Sequence, residues 1–273
     1  MIPADTAKNF FCISFYEGDL SWVPAISSGR YHIYAKNTIA AAGIDPQKTT
    51  RVENVGYNVH PYLQYIADNY GALPEVVVFC KNNVFPRHVS RMTFERLASR
   101  KVFTGIEEPH RWTHRYPYST LGSDNGFLEL NDSWYRNLNP RKYFHGFDDF
   151  YSFLFRGVSR PRYLRFAPGA NYVVPKQNIL LRSRNFYRNL MKFCEHHQFA
   201  GESHMIERAL FAIWSSSAEE SAVMSSLITD EVLGAMSAKM REQEDSPSRA
   251  FLRRAPRRFK TELIRLIDAF PPP

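Results

Sequence analysis

The chain has 273 residues, of which 44% are hydrophobic and 23% are charged, a balance that excludes an intrinsically disordered protein. Its formal net charge of +8 favours an anionic partner, such as a nucleic acid, an anionic membrane surface or a phosphorylated small molecule. Three cysteines without short spacings exclude a disulfide framework, and no run of about 18 uncharged apolar residues predicts a membrane-spanning helix. Because the first residues lack the pattern of a secretory signal, the sequence predicts a cytoplasmic protein.

The first part of the chain alternates short apolar strands with an amphipathic helix. The predicted elements are a strand at 10–16, a strand at 31–34, a short element at 51–54, a helix from Pro61 to Tyr70 and a strand at 76–80. This alternation predicts a mostly parallel α/β sheet that is covered on both faces.

The second part is less regular. The predicted elements are a helix at 89–100, loops over 105–165 with short helices near 132–136 and 147–156, a strand at 170–174, two helices between Ser183 and Trp214, and a long helix at 219–243. A basic tail follows. The sequence therefore predicts one α/β domain over 1–214 and a C-terminal helical extension over 215–273.

The end of the 76–80 strand carries a candidate binding site. Open α/β sheets bind ligands at the carboxyl ends of strands, and this end carries Lys81, Asn82 and Asn83. Mg²⁺ and Mn²⁺ prefer carboxylate oxygens as ligands. Because this strand end carries no carboxylate, a metal is disfavoured here. The pattern instead favours a diphosphate bound without a metal, with Lys81 on the phosphate oxygens. The alternative interpretation is a solvated turn before a helix.

Three stretches together resemble one family of uncharacterised proteins, DUF3431, and its bacterial and viral relatives. They are FYEGDLSWVPAISSGRYHIYAKN (15–37), NVGYNVHPYLQYIADNYGALPEVVVFCKNN (54–83) and the segment from APGANYVVPKQNI to ERALFAIW (167–214). The matching positions are Asp19, Trp22, Tyr34, Lys36, Asn37, Asn54, Val55, Gly56, His60, Tyr62, Leu63, Glu207, Arg208 and Trp214. Where these relatives usually have Arg-Glu after the glycine, this chain has Tyr57-Asn58.

These relatives in turn resemble glycosyltransferases of the GT-A fold, a single Rossmann-like nucleotide-binding domain. The resemblance implies transfer of a sugar from a nucleoside-diphosphate sugar to a glycan or lipid-linked acceptor. Together with the strand-end argument for Lys81, Asn82 and Asn83, it predicts Tyr16, Asp19, Asn54 and Gly56 as further donor-binding residues. The predicted acceptor-binding residues are His60, Asn171 and Arg208. Because the Arg-Glu pair and an acidic strand end are missing, the alternative is a catalytically inactive nucleotide-sugar or glycan-binding protein of the same fold.

Two carboxylates are candidates for catalysis. Glu207 lies beside the apolar stripe of its helix, which predicts a partly buried general base with a raised pKa. The alternative is an ion pair with a helix neighbour such as Arg208 or with an arginine of a loop. Asp149, in the loop-rich region, is the second candidate.

Other features of the sequence admit two interpretations. Asp19 either binds a ribose or base or caps a short helix, and Gly56 either lets the backbone approach a ligand or turns the chain. His110 and His114 have zinc-like spacing but no evident third ligand, so no metal site is predicted. The basic tail predicts reversible attachment to an anionic membrane surface, or else a helix packed on the domain. No nucleic-acid motif accompanies the charge, so nucleic acid is not a predicted partner.

Overall fold

The computed structural model describes residues 8–39, 43–108, 119–121, 126–131 and 138–244. In these ranges the strands are β1 (Phe10–Phe15), β2 (Tyr31–Ala35), β3 (Thr49–Arg51), β4 (Val76–Lys81), β5 (Thr104–Gly105), β6 (Ser119–Leu121), β7 (Phe127–Leu130), β8 (Tyr163–Phe166) and β9 (Tyr172–Pro175). The helices are α1 (Trp22–Ser27), α2 (Val59–Asn69), α3 (Val84–Arg87), α4 (Arg91–Ala98), α5 (Phe147–Leu154), α6 (Lys176–Ile179), α7 (Arg184–Cys194), α8 (Gly201–Ser215), α9 (Ala222–Ser225) and α10 (Asp230–Glu244).

The main sheet has six strands in the order β3-β2-β1-β4-β9-β5. Strands β3, β2, β1 and β4 are parallel, and β9 runs antiparallel to both of its neighbours. The predicted mostly parallel α/β sheet is therefore confirmed. From β1 the chain builds outward through β2 and β3, and then returns to place β4 on the other side of β1. The carboxyl ends of β1 and β4 thus form a topological switch point, where α/β sheets bind ligands.

The two faces of the central strands are both buried because each strand is an apolar run. On one face, Ile13 packs in a cluster with Trp22 of α1 and Phe94 of α4, whose rings are 5.4 Å apart. On the other face, Phe79 of β4 stacks on Trp214 of α8 with a centroid distance of 5.4 Å. This burial on both faces explains why β1 and β4 lack polar alternation.

A second, antiparallel sheet of three strands has the order β6-β7-β8. Two of its strands lie in the 105–165 region, which the sequence predicts as loops with short helices. The prediction missed them because aromatic and arginine residues obscure the alternating pattern there. Arg208 of α8 connects to this sheet, since its guanidinium donates to Glu129 Oε2 of β7 at 3.1 Å and lies 4.6 Å from the Phe166 ring of β8.

The predicted long helix at 219–243 is wrong, because the chain forms α9 and α10 with an extended segment between them. The Asn189 side chain causes the interruption. Its amide donates to the carbonyls of Met224 (3.1 Å) and Ser226 (2.7 Å), and its oxygen accepts from the Ile228 amide (2.9 Å). This buried amide satisfies backbone groups that a continuous helix would have paired internally.

The first compact unit ends at Ile228 and the second begins at Thr229. Residues before Ile228 belong to the first unit because they bond to it, for example the Glu220 carboxylate, which accepts from the Ser183 amide at 3.1 Å. In the second unit the structure describes α10. The predicted helix near 132–136, the pair His110 and His114, and the basic tail lie outside the described residues. None of the described helices combines the length and apolarity that a membrane crossing requires.

Candidate functional site

The carboxyl ends of β1 and β4 lie side by side, with Ser14 paired to Lys81. The backbone amide of Asn82 continues the pairing by donating to the Ser14 carbonyl at 3.2 Å. Asn171, at the entrance to β9, accepts a hydrogen bond from the Lys81 amide at 3.1 Å. Three neighbouring strands therefore fix the backbone of Lys81 at the switch point of the sheet.

The Lys81 side chain begins a chain of three polar groups. Its Nζ lies 2.9 Å from Nε2 of His88, which follows α3, and His88 Nδ1 lies 3.1 Å from Oε2 of Glu107, which follows β5. His88 and Glu107 are buried, whereas Lys81 is partly exposed. We call these three residues the Lys81 relay. Two successive contacts connect an amine, an imidazole and a carboxylate in this relay.

The surroundings of Lys81 lower the pKa of its ammonium to about 8. Burial is the main cause, because it disfavours the charged form, and the nearby charge of Arg87 acts in the same direction. Glu207 and Glu107 act in the opposite direction but do not cancel it. Lys81 is therefore a cation that can release its proton close to neutral pH.

A tight turn at Gly169 lies directly against Lys81. Gly169 has φ +77°, and a Cβ at this position would lie 2.7 Å from Lys81 Nζ and 2.8 Å from His88 Nε2. Asn58, at the start of α2, donates to the Gly169 carbonyl at 2.7 Å, and Glu207 of α8 accepts from the Gly169 amide at 2.6 Å. Glycine is needed here for both its φ and its lack of a side chain.

Glu207 is largely buried, with a side chain that is 12% exposed. Burial alone raises its pKa, but the His204 imidazole 3.6 Å away, the charges of Arg208 and His204 and the Gly169 amide together lower it to about 2. The predicted raised pKa is therefore wrong, because these groups stabilise the carboxylate form. The predicted pairing with Arg208 is also replaced by contacts to His204 and Gly169.

Two of the predicted donor-binding residues build the loop between β1 and α1. The side-chain amide of buried Asn82 donates to the carbonyls of Glu17 (2.8 Å) and Asp19 (3.5 Å). The Asp19 carboxylate accepts from the amide of Ser21 at 2.8 Å and from its hydroxyl at 2.9 Å, immediately before α1. Asp19 therefore forms a turn with Ser21, which is the N-cap residue of α1, and no side chain caps the helix by a hydrogen bond. Tyr16, which is 49% exposed, and exposed Asn83 flank this loop.

The glycine motif forms a second anchored turn. Gly56 has φ +60°, and a Cβ there would lie 2.8 Å from Cys194 Sγ, so the turn packs against α7. Asn54 donates to Gln198 Oε1 at 3.1 Å. Lys36, at the carboxyl end of β2, donates its ammonium hydrogens to the carbonyls of Val55 and Tyr57. These contacts support the turn interpretation of Gly56.

The three residues predicted to bind an acceptor are buried and held by internal contacts. His60 Nε2 lies 3.3 Å from Glu195 Oε1, Asn171 bonds to Lys81, and Arg208 bonds to Glu129. Their contacts therefore position neighbouring elements. Asp149, in contrast, is exposed in the first turn of α5.

Comparison with known proteins identifies the family. The model of a family described as "Protein of unknown function (DUF3431)" matches residues 13–226. The chain belongs to the DUF3431 family. No curated protein and no solved structure matches it. The matched range of this DUF3431 protein contains the whole Lys81 relay, the end of β2 with Lys36, and Glu207.

The structure of this DUF3431 protein brings together residues that sequence reasoning missed. His88, Glu107, His204 and Gly169 gather around Lys81 and Glu207 although they come from four separate segments. Asn58 stands where the family resemblance leads us to expect a glutamate. In the sequence, this departure was the one signal that pointed to the contacts around Gly169. Within the described ranges, no group of three His, Cys, Asp or Glu side chains is placed to hold a metal ion.

Proposed function

We propose that this DUF3431 protein is a glycosyltransferase of the GT-A type, which binds the diphosphate of a nucleoside-diphosphate sugar through Lys81 and needs no metal for that binding. One observation carries the proposal: Lys81, a partly exposed residue, ends β4 at the switch point of the sheet. A lysine placed there can form charge-assisted hydrogen bonds to phosphate oxygens.

The neighbouring groups support the same assignment. Half-exposed Tyr16, one residue beyond β1, offers an aromatic face to a base or ribose. The contacts of Asn82 with Glu17 and Asp19 hold the loop that carries Tyr16 close to Lys81. Exposed Asn83 adds an amide donor at the same edge. Together these residues offer aromatic, cationic and amide groups to a nucleoside diphosphate.

The carboxylates take different roles in this proposal. Glu207 holds the Gly169 turn beside Lys81 and partly balances the lysine charge. Its low pKa makes it a weak proton acceptor at neutral pH, because a general base works best with a pKa near the working pH. Exposed Asp149 is therefore the carboxylate that we assign to deprotonating an acceptor hydroxyl. The acceptor in this proposal is a glycan or a lipid-linked sugar.

The low pKa of Glu207 also favours a second candidate function. A protein that binds a nucleotide sugar or glycan without turnover needs the Lys81 cation but no general base. A Glu207 with both oxygens engaged and a pKa of about 2 suits that function as well.

The experiment that tests both functions is a calorimetric titration of the full chain with a panel of nucleotide sugars, with and without EDTA. Binding that survives EDTA is expected, and Lys81→Met should weaken it by about 1.5–3 kcal/mol. Lys142→Met, which removes an exposed lysine that lies outside the strands, is the matched control and should leave affinity unchanged.

Release of free nucleotide then separates the two functions. Binding with acceptor-dependent nucleotide release supports the transferase, and binding without release supports the binding protein. Equal affinities of wild type and Lys81→Met, or binding that disappears with EDTA and returns with Mn²⁺, would remove the metal-free diphosphate site.

A further inference from the structure

The Lys81 relay has the arrangement of an activated nucleophile. In such arrangements, a nucleophile lies within hydrogen-bond reach of a base, and a third group orients the base. Here Lys81 Nζ lies 2.9 Å from His88 Nε2, and Glu107 Oε2 lies 3.1 Å from His88 Nδ1. We infer that Lys81 is an amine nucleophile that captures aldehydes or ketones as an imine. This activity is separate from the proposed sugar transfer and does not depend on it.

Glu107 determines which nitrogen of His88 acts as the base. Glu107 is fully buried, and an ionised carboxylate there only accepts hydrogen bonds, so we assign the His88 proton to Nδ1, 3.1 Å from Glu107 Oε2. The lone pair of Nε2 then points to Lys81 Nζ. When Lys81 transfers a proton to Nε2, the resulting imidazolium lies against the buried Glu107 carboxylate, which stabilises it.

The charges around Lys81 make that transfer accessible. Arg87 and burial disfavour the ammonium, whereas Glu107 and Glu207 favour it, and the net result is a pKa of about 8. At pH 7.5 the neutral amine of such a lysine is roughly a hundredfold more abundant than that of an ordinary lysine. The geometry and the protonation equilibrium therefore favour the same reactive form.

The reaction consumes a carbonyl compound and releases water. Lys81 gives a proton to His88 and its nitrogen lone pair attacks the carbonyl carbon, so a C–N bond forms and the oxygen takes the proton back from His88. One of the two protons left on the nitrogen then passes to His88, which protonates the hydroxyl as the C–O bond breaks and water leaves, and the other stays on the nitrogen of the imine. The net change converts an ammonium and a carbonyl into a protonated imine and water.

Charge favours a carbonyl compound that also carries an anionic group. Arg87 is exposed near Lys81 and the chain has a net charge of +8. An anionic substituent would be attracted to this region and would raise the local concentration of the carbonyl.

Lys36 provides an internal control within the same sheet. Its pKa is also lowered to about 8 by burial, and it also follows a parallel strand. Its ammonium, however, donates to two peptide carbonyls, which cannot accept a proton as a base does. If a lowered pKa were sufficient for reactivity, both lysines would react, whereas the relay predicts that Lys81 reacts preferentially.

The test is reductive trapping of the full chain with a limiting amount of pyridoxal 5′-phosphate and sodium borohydride at pH 7.5, followed by peptide mass spectrometry. Lys81 should be labelled roughly tenfold or more faster than exposed Lys142, because its pKa is lowered to about 8. It should also be labelled faster than Lys36, whose pKa is equally low but whose ammonium donates to two carbonyls instead of facing an imidazole. Labelling of Lys81 at or below the rate of Lys142 would overturn the inference, and this comparison needs no variant.

Variants then test the roles of the relay. His88→Gln should reduce Lys81 labelling by about tenfold, within the lower range for loss of a positioned base, and Glu107→Gln should reduce it less. His60→Gln, which changes another buried histidine paired with a glutamate, should leave it unchanged. Unaltered labelling in a folded His88→Gln protein, verified by circular dichroism, would contradict the relay. Absence of nucleotide-sugar binding would not affect any of these results.

Discussion

Lys36 and Lys81 stand at equivalent places, each at the carboxyl end of a parallel strand of one sheet, and burial lowers the pKa of both to about 8. Their partners differ. The Lys36 ammonium is surrounded by carbonyls of the Gly56 turn, whereas the Lys81 ammonium meets an imidazole beside the Gly169 turn. A lysine that bonds to peptide carbonyls is part of the scaffold. A lysine that bonds to an oriented imidazole has a proton acceptor and remains chemically available.

The two turns show the same contrast. A Cβ at Gly56 would meet Cys194 Sγ and the Cβ of His60, both near rigid backbone, whereas a Cβ at Gly169 would meet the tips of the Lys81 and His88 side chains. The Gly56 turn is therefore fixed by packing, and the Gly169 turn is fixed by hydrogen bonds around a functional group. Four measurements test the difference between the two lysines and between the two turns.

The largest effect is expected for Lys36→Met. This variant leaves two carbonyls without their donor, each of which costs about 1–3 kcal/mol when buried, so the free energy of unfolding should fall by about 3 kcal/mol. Lys81→Met should change it by about 1 kcal/mol, because the ammonium contacts one imidazole nitrogen rather than two peptide carbonyls. Urea denaturation of both variants provides the measurement. Equal losses would contradict the distinction between the two lysines.

A smaller effect is expected for Gly56→Ala and Gly169→Ala. Both place a side chain at positive φ, which costs about 1 kcal/mol or more, but the clash at Gly56 involves less movable atoms. We expect thermal and urea unfolding to show a loss of about 2 kcal/mol at Gly56 and a smaller one at Gly169. Gly157→Ala is the control, since its φ is also positive and no atom lies within 4 Å of its Cβ. A Gly169 variant less stable than the Gly56 variant would reverse the comparison.

The pH dependence of stability should identify the Lys81 proton. Folded Lys81 releases its proton near pH 8 and an unfolded lysine near pH 10.5, so the unfolded chain binds more protons between these values. The free energy of unfolding of the wild type should therefore rise by about 2 kcal/mol relative to Lys81→Met as the pH increases from 8 to 10. Chemical denaturation at each pH measures the difference, and a constant difference would show that the Lys81 pKa is not lowered.

Glu207→Gln removes a charge but keeps an oxygen that can still accept from the Gly169 amide. A folded pKa of about 2 against 4.5 in the unfolded chain corresponds to about 3 kcal/mol at pH 7, so the loss of stability there should approach that value. The folded pKa of Glu207 is about 2 and the unfolded value is 4.5, so its contribution is complete above pH 4.5 and is lost as the pH falls toward 2. Wild type should therefore lose its advantage over Glu207→Gln in acid, and a gap that widens there would contradict the lowered pKa.

Much of the main sheet could be predicted from sequence because its strands are short apolar runs. The predicted strands at 10–16, 31–34 and 76–80 correspond to β1, β2 and β4 within a residue at each end. The antiparallel sheet β6-β7-β8 was missed because its region lacks a clear period. The helix predicted at 219–243 failed because local pattern does not reveal that the Asn189 side chain bonds to the intervening backbone.

The sequence by itself determined that Lys81 follows a buried strand, that the chain forms an α/β domain and that it is a DUF3431 protein. These properties depend on residues that are close together in the chain or on the order of motifs. Only the tertiary structure decided which partner each lysine has. His88 and Glu107 reach Lys81 from segments that follow α3 and β5, and Glu207 and Asn58 reach Gly169 from α8 and the start of α2. Such contacts depend on packing between distant segments, which strand and helix periodicities do not encode.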